Sequence, residues 1–334
     1  MTNGGRDITI DLAKTVGIAL VVLGHVSGSG ESPGLLDIRH FLYQFHVPLF
    51  FYLSGYCFKE KEDWKTFAIK KICRLYLPFV ISNLVFYCIH VITHTLAGET
   101  FPAIDITKHC IKILLGLSLT PLGGATWFLI TLLEALALYK IIDTFFNHLP
   151  SVYILLTSLL FGITGTILDL PWGISSAFIA VFFVCIGHFT RRHVDVSRMK
   201  GWSKLVLGLV GIGLVFGCSC INHPDMALHR FGSIPLFWIS ALIGIYAIIL
   251  FASCLSQFRI PSFLVKWGQR TIWILIGHFT AFKLIALIQH WALHQSLQDT
   301  LFAHPCYYVG GWWAAAYFIS GFFLPILISR VFSK

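Results

Sequence analysis

The sequence contains few charged residues. Asp, Glu, Lys and Arg make up 12% of its 334 residues, whereas roughly 25% is usual for a soluble domain. Hydrophobic residues reach 57%, and the mean hydropathy is +0.79. A soluble fold of this length cannot bury that much apolar surface, so the composition excludes a soluble enzyme and indicates that lipid covers most of the molecule. A disordered chain is excluded as well, because the sequence has 30 Phe, 11 Tyr and 10 Trp.

Metal-binding patterns are also missing. The nine cysteines are odd in number, none has CxxC spacing and most lie in apolar runs, so we interpret them as small buried hydrophobic residues. The pairs His90/His94 and His290/His294 have an i,i+4 spacing that can hold a metal, but neither lies in an HExxH motif. We therefore expect no metal. No Walker loop, GxSxG elbow or dinucleotide fingerprint indicates another enzyme class.

Ten apolar runs are long enough to cross a bilayer core about 30 Å thick. They lie at approximately 8–27, 38–58, 75–97, 124–145, 151–170, 174–190, 203–222, 233–254, 270–293 and 309–332. Only Leu170-Pro171-Trp172-Gly173 separates the fifth run from the sixth, which predicts a tight helical hairpin. An amphipathic segment near 108–119 is expected to lie in the membrane interface. The sequence therefore predicts an all-α, polytopic membrane protein in which residues 1–334 form one domain with no appended soluble domain.

The distribution of Lys and Arg between alternate loops predicts the orientation. Nineteen lie on one side, Lys283 falls inside a run, and only Arg39, Lys108, Lys112 and Arg230 lie on the other side. Because positively charged loops stay in the cytoplasm, both termini are predicted to be cytoplasmic. The same asymmetry explains the net charge of +9, so we expect no nucleic-acid partner.

Ionisable residues inside the first run are the strongest functional signal. Lys14 and His25 are eleven residues apart, so three helical turns place them on one face, roughly 16 Å apart along the axis. Asp11 lies one turn before Lys14 and is positioned to pair with it. An ionisable group at bilayer depth costs a few kcal/mol and needs a reason. Interfacial anchoring is the alternative interpretation for Asp11 and Lys14.

Further polar residues lie in or beside later runs. Pro48 is expected to kink the second run and to free carbonyls near His46. Lys71 and Arg74 suit an anionic cofactor, although composition alone favours anchoring to acidic headgroups. The other candidates are Glu134, seven residues after Trp127, and the weaker His188 and His278.

These residues form a pattern that resembles membrane acyltransferase family 3, especially its fucose 4-O-acetylase-like branch. The segments that carry the resemblance are Arg6-Asp7 with Asp11 and Lys14, Val22-Leu23-Gly24-His25, Phe45-His46-Val47-Pro48-Leu49-Phe50-Phe51, Ser54-Gly55-Tyr56, Lys71-x-x-Arg74 before Leu77-Pro78, Trp127-Phe128-Leu129, and Trp267-Gly268 with His278. The resemblance covers the whole chain, and its most specific part is the first 80 residues. Many members have Arg at the positions of Lys14 and Lys71. Lys keeps the charge but lacks the bidentate fork, so phosphate binding is expected to be weaker or differently arranged.

The resemblance implies an O-acyltransferase of the bacterial inner membrane. The donor would be acyl-CoA, usually acetyl-CoA, and the acceptor a sugar hydroxyl of a lipid-linked or cell-surface glycan such as O-antigen or capsule. His25 would be a general base or acyl carrier, and Asp11 would orient Lys14. The phosphates of CoA would bind Lys14, Lys71 and Arg74. The residues expected to position the acceptor or tune His25 are His46, Glu134, Trp127 and His278.

Two other classes of protein remain open on the sequence. A transporter or flippase would use the same intramembrane charges to bind a substrate or relay protons, but it predicts inverted repeats, which the sequence does not contain. A receptor or scaffold without chemistry would merely pack His25. Release of CoA that depends on both an acceptor and His25 would separate the enzyme from both alternatives.

Overall fold

The computed structural model describes residues 2–3, 6–27, 33–170 and 173–331. Within them the chain forms fifteen α-helices, two short 3-10 segments, one π-helical turn at Ile72–Tyr76, and a two-residue antiparallel pairing of Thr2–Asn3 (β1) with Arg6–Asp7 (β2). The first seven helices are α1 Ile8–Ser27, α2 Pro33–Tyr43, α3 His46–Tyr56, α4 Trp64–Lys71, α5 Leu77–Leu96, α6 Ala103–Leu114 and α7 Trp127–Phe146. The remaining eight are α8 Ser151–Ile167, α9 Ile174–His193, α10 Gly201–Ser219, α11 Ile234–Leu255, α12 Ser262–Gly268, α13 Thr271–Leu293, α14 Leu297–Phe302 and α15 Trp313–Val331.

The predicted polytopic all-α fold is confirmed. Eight helical segments of the described chain are long and apolar enough to cross a membrane, and they cover the predicted runs except the second and fifth. The fifth run corresponds to the shorter helix α8, and the second is divided between α2 and α3. The number of crossings and the cytoplasmic termini stay predictions.

The second run is broken rather than kinked. Helix α2 ends at Tyr43 and α3 begins at His46, so Pro48 lies in the first turn of α3, where its missing N–H is not needed. Gln44, in the break, is fully buried and anchors it: its Nε2 donates to the Asn222 carbonyl at 2.5 Å, and its Oε1 accepts from the Ser240 hydroxyl at 2.8 Å. The prediction of a kink at Pro48 was therefore wrong: one helix ends and another begins just before Pro48.

Three smaller expectations need correction or fall outside the structure. The amphipathic helix of the longest loop is α6, which begins at Ala103 and ends at Leu114, several residues before the predicted 108–119. All nine cysteines are free, but only Cys185 and Cys306 are buried, because most of the others lie on outward helix faces or at a cavity mouth. Pro171 and Trp172 of the predicted hairpin, and Lys334 of the charge count, lie outside the described residues.

Helix α1 lies at the centre of the helix packing. It contacts α2, α3, α11, α12, α13 and α15. Close backbone contacts hold the neighbouring helices: Gly55 of α3 lies so near α9 that a Cβ there would come within 1.9 Å of the Val184 carbonyl oxygen, and a Cβ on Gly268 of α12 would come within 2.0 Å of the Asp11 carbonyl oxygen. Small residues permit such approaches between membrane helices. The polar face of α1 is thereby enclosed by protein.

Candidate active site

A cavity of about 310 Å³ runs beside α1. One end, here called the basic end, is lined by Lys14, Lys71 and Arg74, and the wall continues inward to His25 and His46. The volume lies at the lower limit for pockets that hold a small organic ligand. A single cavity therefore joins the predicted cationic residues to the predicted imidazoles.

His25 and His278 form a hydrogen-bonded pair across α1 and α13. His278 is fully buried; its Nδ1 lies 3.0 Å from the Ile274 carbonyl oxygen, and its Nε2 lies 3.2 Å from Nδ1 of His25. A carbonyl oxygen only accepts, so Nδ1 of a neutral His278 carries the ring proton, and Nε2 of His278 accepts a hydrogen bond from Nδ1–H of His25. In this tautomer Nε2 of His25 carries the lone pair. The pair thus leaves His25 with the nitrogen that a general base or nucleophile requires.

His46 presents a second imidazole to the cavity. Its Nδ1 donates to the Leu42 carbonyl oxygen at 2.7 Å, so a neutral His46 also has its lone pair on Nε2. His46 is the first residue of α3, directly after the break, and His278 makes the same contact with the carbonyl four residues before it in α13. The structure therefore brings His46 to the same cavity as His25.

At the basic end, the predicted pairing of Asp11 with Lys14 is present. Lys14 Nζ lies 3.9 Å from the Asp11 carboxylate, whose other oxygen accepts from Gln269 Nε2 at 3.2 Å. The Asp11 side chain is 3% exposed and that of Lys14 is 24% exposed, so the ammonium group remains open to the cavity. Cys57, also at this end, is 3.9 Å from Lys14 Nζ. The carboxylate thus fixes the cation at the mouth of the cavity.

The second basic element lies at the junction of α4 and α5. Lys70 pairs with Glu62, and the hydrogen bond from Lys70 lowers the pKa of the Glu62 carboxyl. Lys71 and Arg74 have no ion-pair partner among the described residues, and both line the cavity. Arg74 lies in the π-helical turn, a rare geometry that often occurs at functional sites. Two uncompensated cations therefore face the cavity mouth.

Two further predicted residues belong to α7, and only one of them reaches the cavity. Trp127 lines the cavity, together with Leu132 and Leu136. Glu134 does not line it: it lies two turns beyond Trp127, the first residue of α7, and at that depth the leucines, about half a turn away, form the cavity wall. One of its carboxylate oxygens is buried without a hydrogen-bond partner in the described part of the chain. The structure thus does not bring Glu134 to the site, and its expected contact with the acceptor is not supported.

The histidine pairs make other contacts. His94 lies 2.7 Å from the Glu99 carboxylate, and His290 contacts the Gln295 carbonyl oxygen. Likewise His188 contacts the Tyr139 hydroxyl at 2.6 Å and Glu60 at 2.8 Å, away from the cavity. Across residues 2–3, 6–27, 33–170 and 173–331, no cluster of three or more His, Cys, Asp or Glu side chains is arranged to hold a metal.

Sequence reasoning missed several residues of the cavity wall. Tyr43 and Asp225 line it at the end opposite the basic end, and Cys57 lines it at the basic end. Asp225 belongs to the loop between α10 and α11 and is the only acidic residue between Asp195 and Asp299. The position of Asp225 in a long stretch without other acidic residues was the signal in the sequence that could have identified it.

Comparison with known proteins gives one match. A family model described as an acyltransferase domain, that of acyltransferase family 3, matches residues 7–330. No curated protein and no solved structure matches the chain. The matched range includes every residue that lines the cavity. The fucose 4-O-acetylase-like branch stays a prediction.

Proposed function

Because the chain belongs to acyltransferase family 3 and is a multi-pass membrane acyltransferase, we propose that it transfers an acetyl or other short acyl group from cytoplasmic acyl-CoA to a sugar hydroxyl. The acceptor is a lipid-linked or cell-surface glycan such as O-antigen or capsule, and the membrane is the bacterial inner membrane. The observation that carries this proposal is the single cavity between the cations of the basic end and His25.

The donor enters at the basic end. The phosphates of CoA are polyanionic, and Lys14, Lys71 and Arg74 supply cations for them at the mouth. The mostly apolar wall beyond the mouth, which includes Leu53 and Leu129, suits the pantetheine arm and the acyl group. The thioester then lies beside His25, while the charged nucleotide stays outside the cavity.

The reaction is an acyl transfer with His25 as general base. Nε2 of His25 accepts the proton of the acceptor hydroxyl as its oxygen attacks the thioester carbonyl. The new C–O ester bond forms, the C–S bond breaks, and the proton passes from His25 to the CoA thiolate. Nε2 of His278 accepts a hydrogen bond from Nδ1–H of His25 and so favours the tautomer in which Nε2 of His25 has the lone pair. Transient acylation of His25 is the second route open to the same geometry.

The test is release of free CoA from labelled acetyl-CoA by the purified protein, with and without a glycan acceptor. We expect release that depends on the acceptor and a product heavier by one acetyl group. His25→Ala abolishes both, whereas His148→Ala, a matched control at an exposed loop position, leaves both unchanged. Movement of the glycan across the membrane without CoA release would favour a transporter, and full activity of His25→Ala would refute the site.

A further inference from the structure

A second cavity, here called the far cavity, lies at the end of the helix bundle opposite the basic end. Its volume is about 180 Å³. The residues that line it and bear on its chemistry are Arg39, His40, Tyr43, His223, Asp225 and Arg230. It therefore contains two guanidinium groups and one carboxylate, and it is cationic.

The charge of the far cavity is unusual for its side of the protein. Only four of the 24 Lys and Arg residues are predicted on that side, and both arginines among them, Arg39 and Arg230, line this one cavity. Lys108 and Lys112 line neither cavity. Loops that are translocated across the membrane usually contain few Lys and Arg residues. Two arginines at one small site on that side therefore indicate a binding role.

The charges of Arg39 and Asp225 compensate each other. Arg39 Nη2 lies 3.3 Å from one oxygen of Asp225, and its guanidinium lies 4.8 Å from the centre of the Tyr43 ring. The other oxygen of Asp225 accepts from the backbone N–H groups of Ala227 and Leu228, at 3.1 and 3.2 Å. Both oxygens of this carboxylate are thus occupied, and packing of the loop explains Arg39.

No comparable contact within the described residues explains the position of the Arg230 side chain. Its backbone is fixed at the rim by two hydrogen bonds to the backbone of Asp225, at 2.6 and 2.9 Å. Its side chain is exposed and has no ion-pair or hydrogen-bond partner among the described residues. A guanidinium at a cavity rim without a counter-ion among the described residues suits a carboxylate or phosphate, which it binds through two parallel hydrogen bonds.

The far cavity lies next to the candidate active site. Tyr43 and Asp225 line both cavities. The Tyr43 ring lies 4.8 Å from the His46 ring and packs against Gly24, the residue before His25. The two cavities are therefore separated at this point by little more than the Tyr43 side chain.

We propose that the far cavity binds an anionic group of the acceptor, a carboxylate or a phosphate, with Arg230 as its principal contact. This inference rests on the proposed function: the anchored acceptor presents its hydroxyl past Tyr43 to His25, while the donor arrives from the basic end. The anion comes either from an acidic sugar or from the diphosphate that joins a glycan to its lipid carrier.

The test is direct binding, which does not depend on turnover. Purified protein is titrated at constant ionic strength with methyl glucuronide, inorganic pyrophosphate and, as the neutral control, methyl glucoside, with CoA present at saturation for each variant so that the phosphate contacts of the basic end are already occupied. The variants are Arg230→Gln, Arg230→Lys, His25→Ala, Arg74→Gln at the basic end, and Lys108→Gln as a matched loss of charge on the same side. Binding of the glucuronide identifies an acidic sugar, and binding of pyrophosphate identifies a lipid diphosphate.

We expect at least one anion, but not methyl glucoside, to bind the wild type. Arg230→Gln weakens that binding at least about tenfold, and Arg230→Lys weakens it less because it keeps the charge. Lys108→Gln, Arg74→Gln and His25→Ala do not change it. The proposal is overturned if no anion binds, if Arg230→Gln binds like the wild type, or if the loss occurs in Arg74→Gln instead. Anion binding in a protein without His25-dependent CoA release would refute the proposed function and leave this site standing.

Discussion

Removal of the His278 imidazole tests whether His25 needs its hydrogen-bond partner. His278→Phe keeps an aromatic ring in a pocket already lined by Phe279 and Phe282, whose ring centres lie 4.4 and 5.6 Å from that of His278. It removes the Nε2 atom that lies 3.2 Å from His25 Nδ1. His25 then loses the side-chain acceptor that favours its reactive tautomer, while its contact with the Val21 backbone remains. We expect the loss to fall on the chemical step.

The magnitude follows from the role of such outer partners. Substitution of a residue that orients a metal-binding imidazole typically costs 10- to 100-fold in activity, and we expect a loss of at least about this size here, which corresponds to about 1.4–2.8 kcal/mol of transition-state stabilisation. Because His278 is not part of the cavity wall, KM for acyl-CoA stays unchanged and kcat falls. Steady-state rates of CoA release measure both constants. His278→Gln, whose amide oxygen can accept from His25, restores most of kcat.

Two results would refute this reasoning. Equal rates for His278→Phe and His278→Gln would mean that His278 contributes packing rather than a hydrogen bond. If kcat fell in both variants together with the amount of folded protein, His278 would likewise contribute packing. The melting temperature of each variant distinguishes such a loss of folding from a catalytic defect.

Further predictions concern the donor site and the helix contacts. Arg74→Gln is expected to raise KM for acyl-CoA about tenfold with little change in kcat, because it removes the proposed charge-assisted contact to a CoA phosphate at the cavity mouth. An unchanged KM in steady-state assays would remove Arg74 from the donor site. Lys14→Arg lowers KM for acyl-CoA, because a guanidinium can bind a phosphate through two parallel hydrogen bonds and an ammonium cannot. A raised KM in the same steady-state assay would argue against phosphate binding at position 14. Gly55→Ala lowers the melting temperature markedly, because its Cβ would lie 1.9 Å from the Val184 carbonyl oxygen. The control Gly213→Ala does not lower it, because a Cβ there meets no atom within 4 Å. Equal melting temperatures for these two variants would contradict the close packing of α3 on α9.

The sequence was most informative where the relation between residues is local. The common face of Lys14 and His25 follows from the 3.6-residue period of one helix, and both residues line one cavity. The pairing of Asp11 with Lys14 follows from the same period. Apolar runs likewise predicted the membrane helices, because bilayer thickness fixes the length that each one requires.

Relations between distant segments could not be predicted in this way. The contact between His25 and His278 joins residues 253 positions apart and depends on how α1 packs against α13. Asp225 reaches the cavity from a loop whose path no periodicity reports. Glu134 was chosen for its depth in the membrane, but depth does not reveal which side of α7 faces the cavity. In the same way Pro48 indicated a disruption without showing that the helix would break before it.

The central claim is that a thioester enters at the basic end and reaches His25. A structure of the protein bound to a non-hydrolysable acetyl-CoA analogue tests it most directly. The account predicts the CoA phosphates beside Lys71 and Arg74 and the acyl carbonyl carbon within about 5 Å of His25 Nε2, which leaves room for one hydroxyl oxygen about 3 Å from each. An analogue bound with its acyl group away from His25, or one that entered from the far cavity, would contradict it.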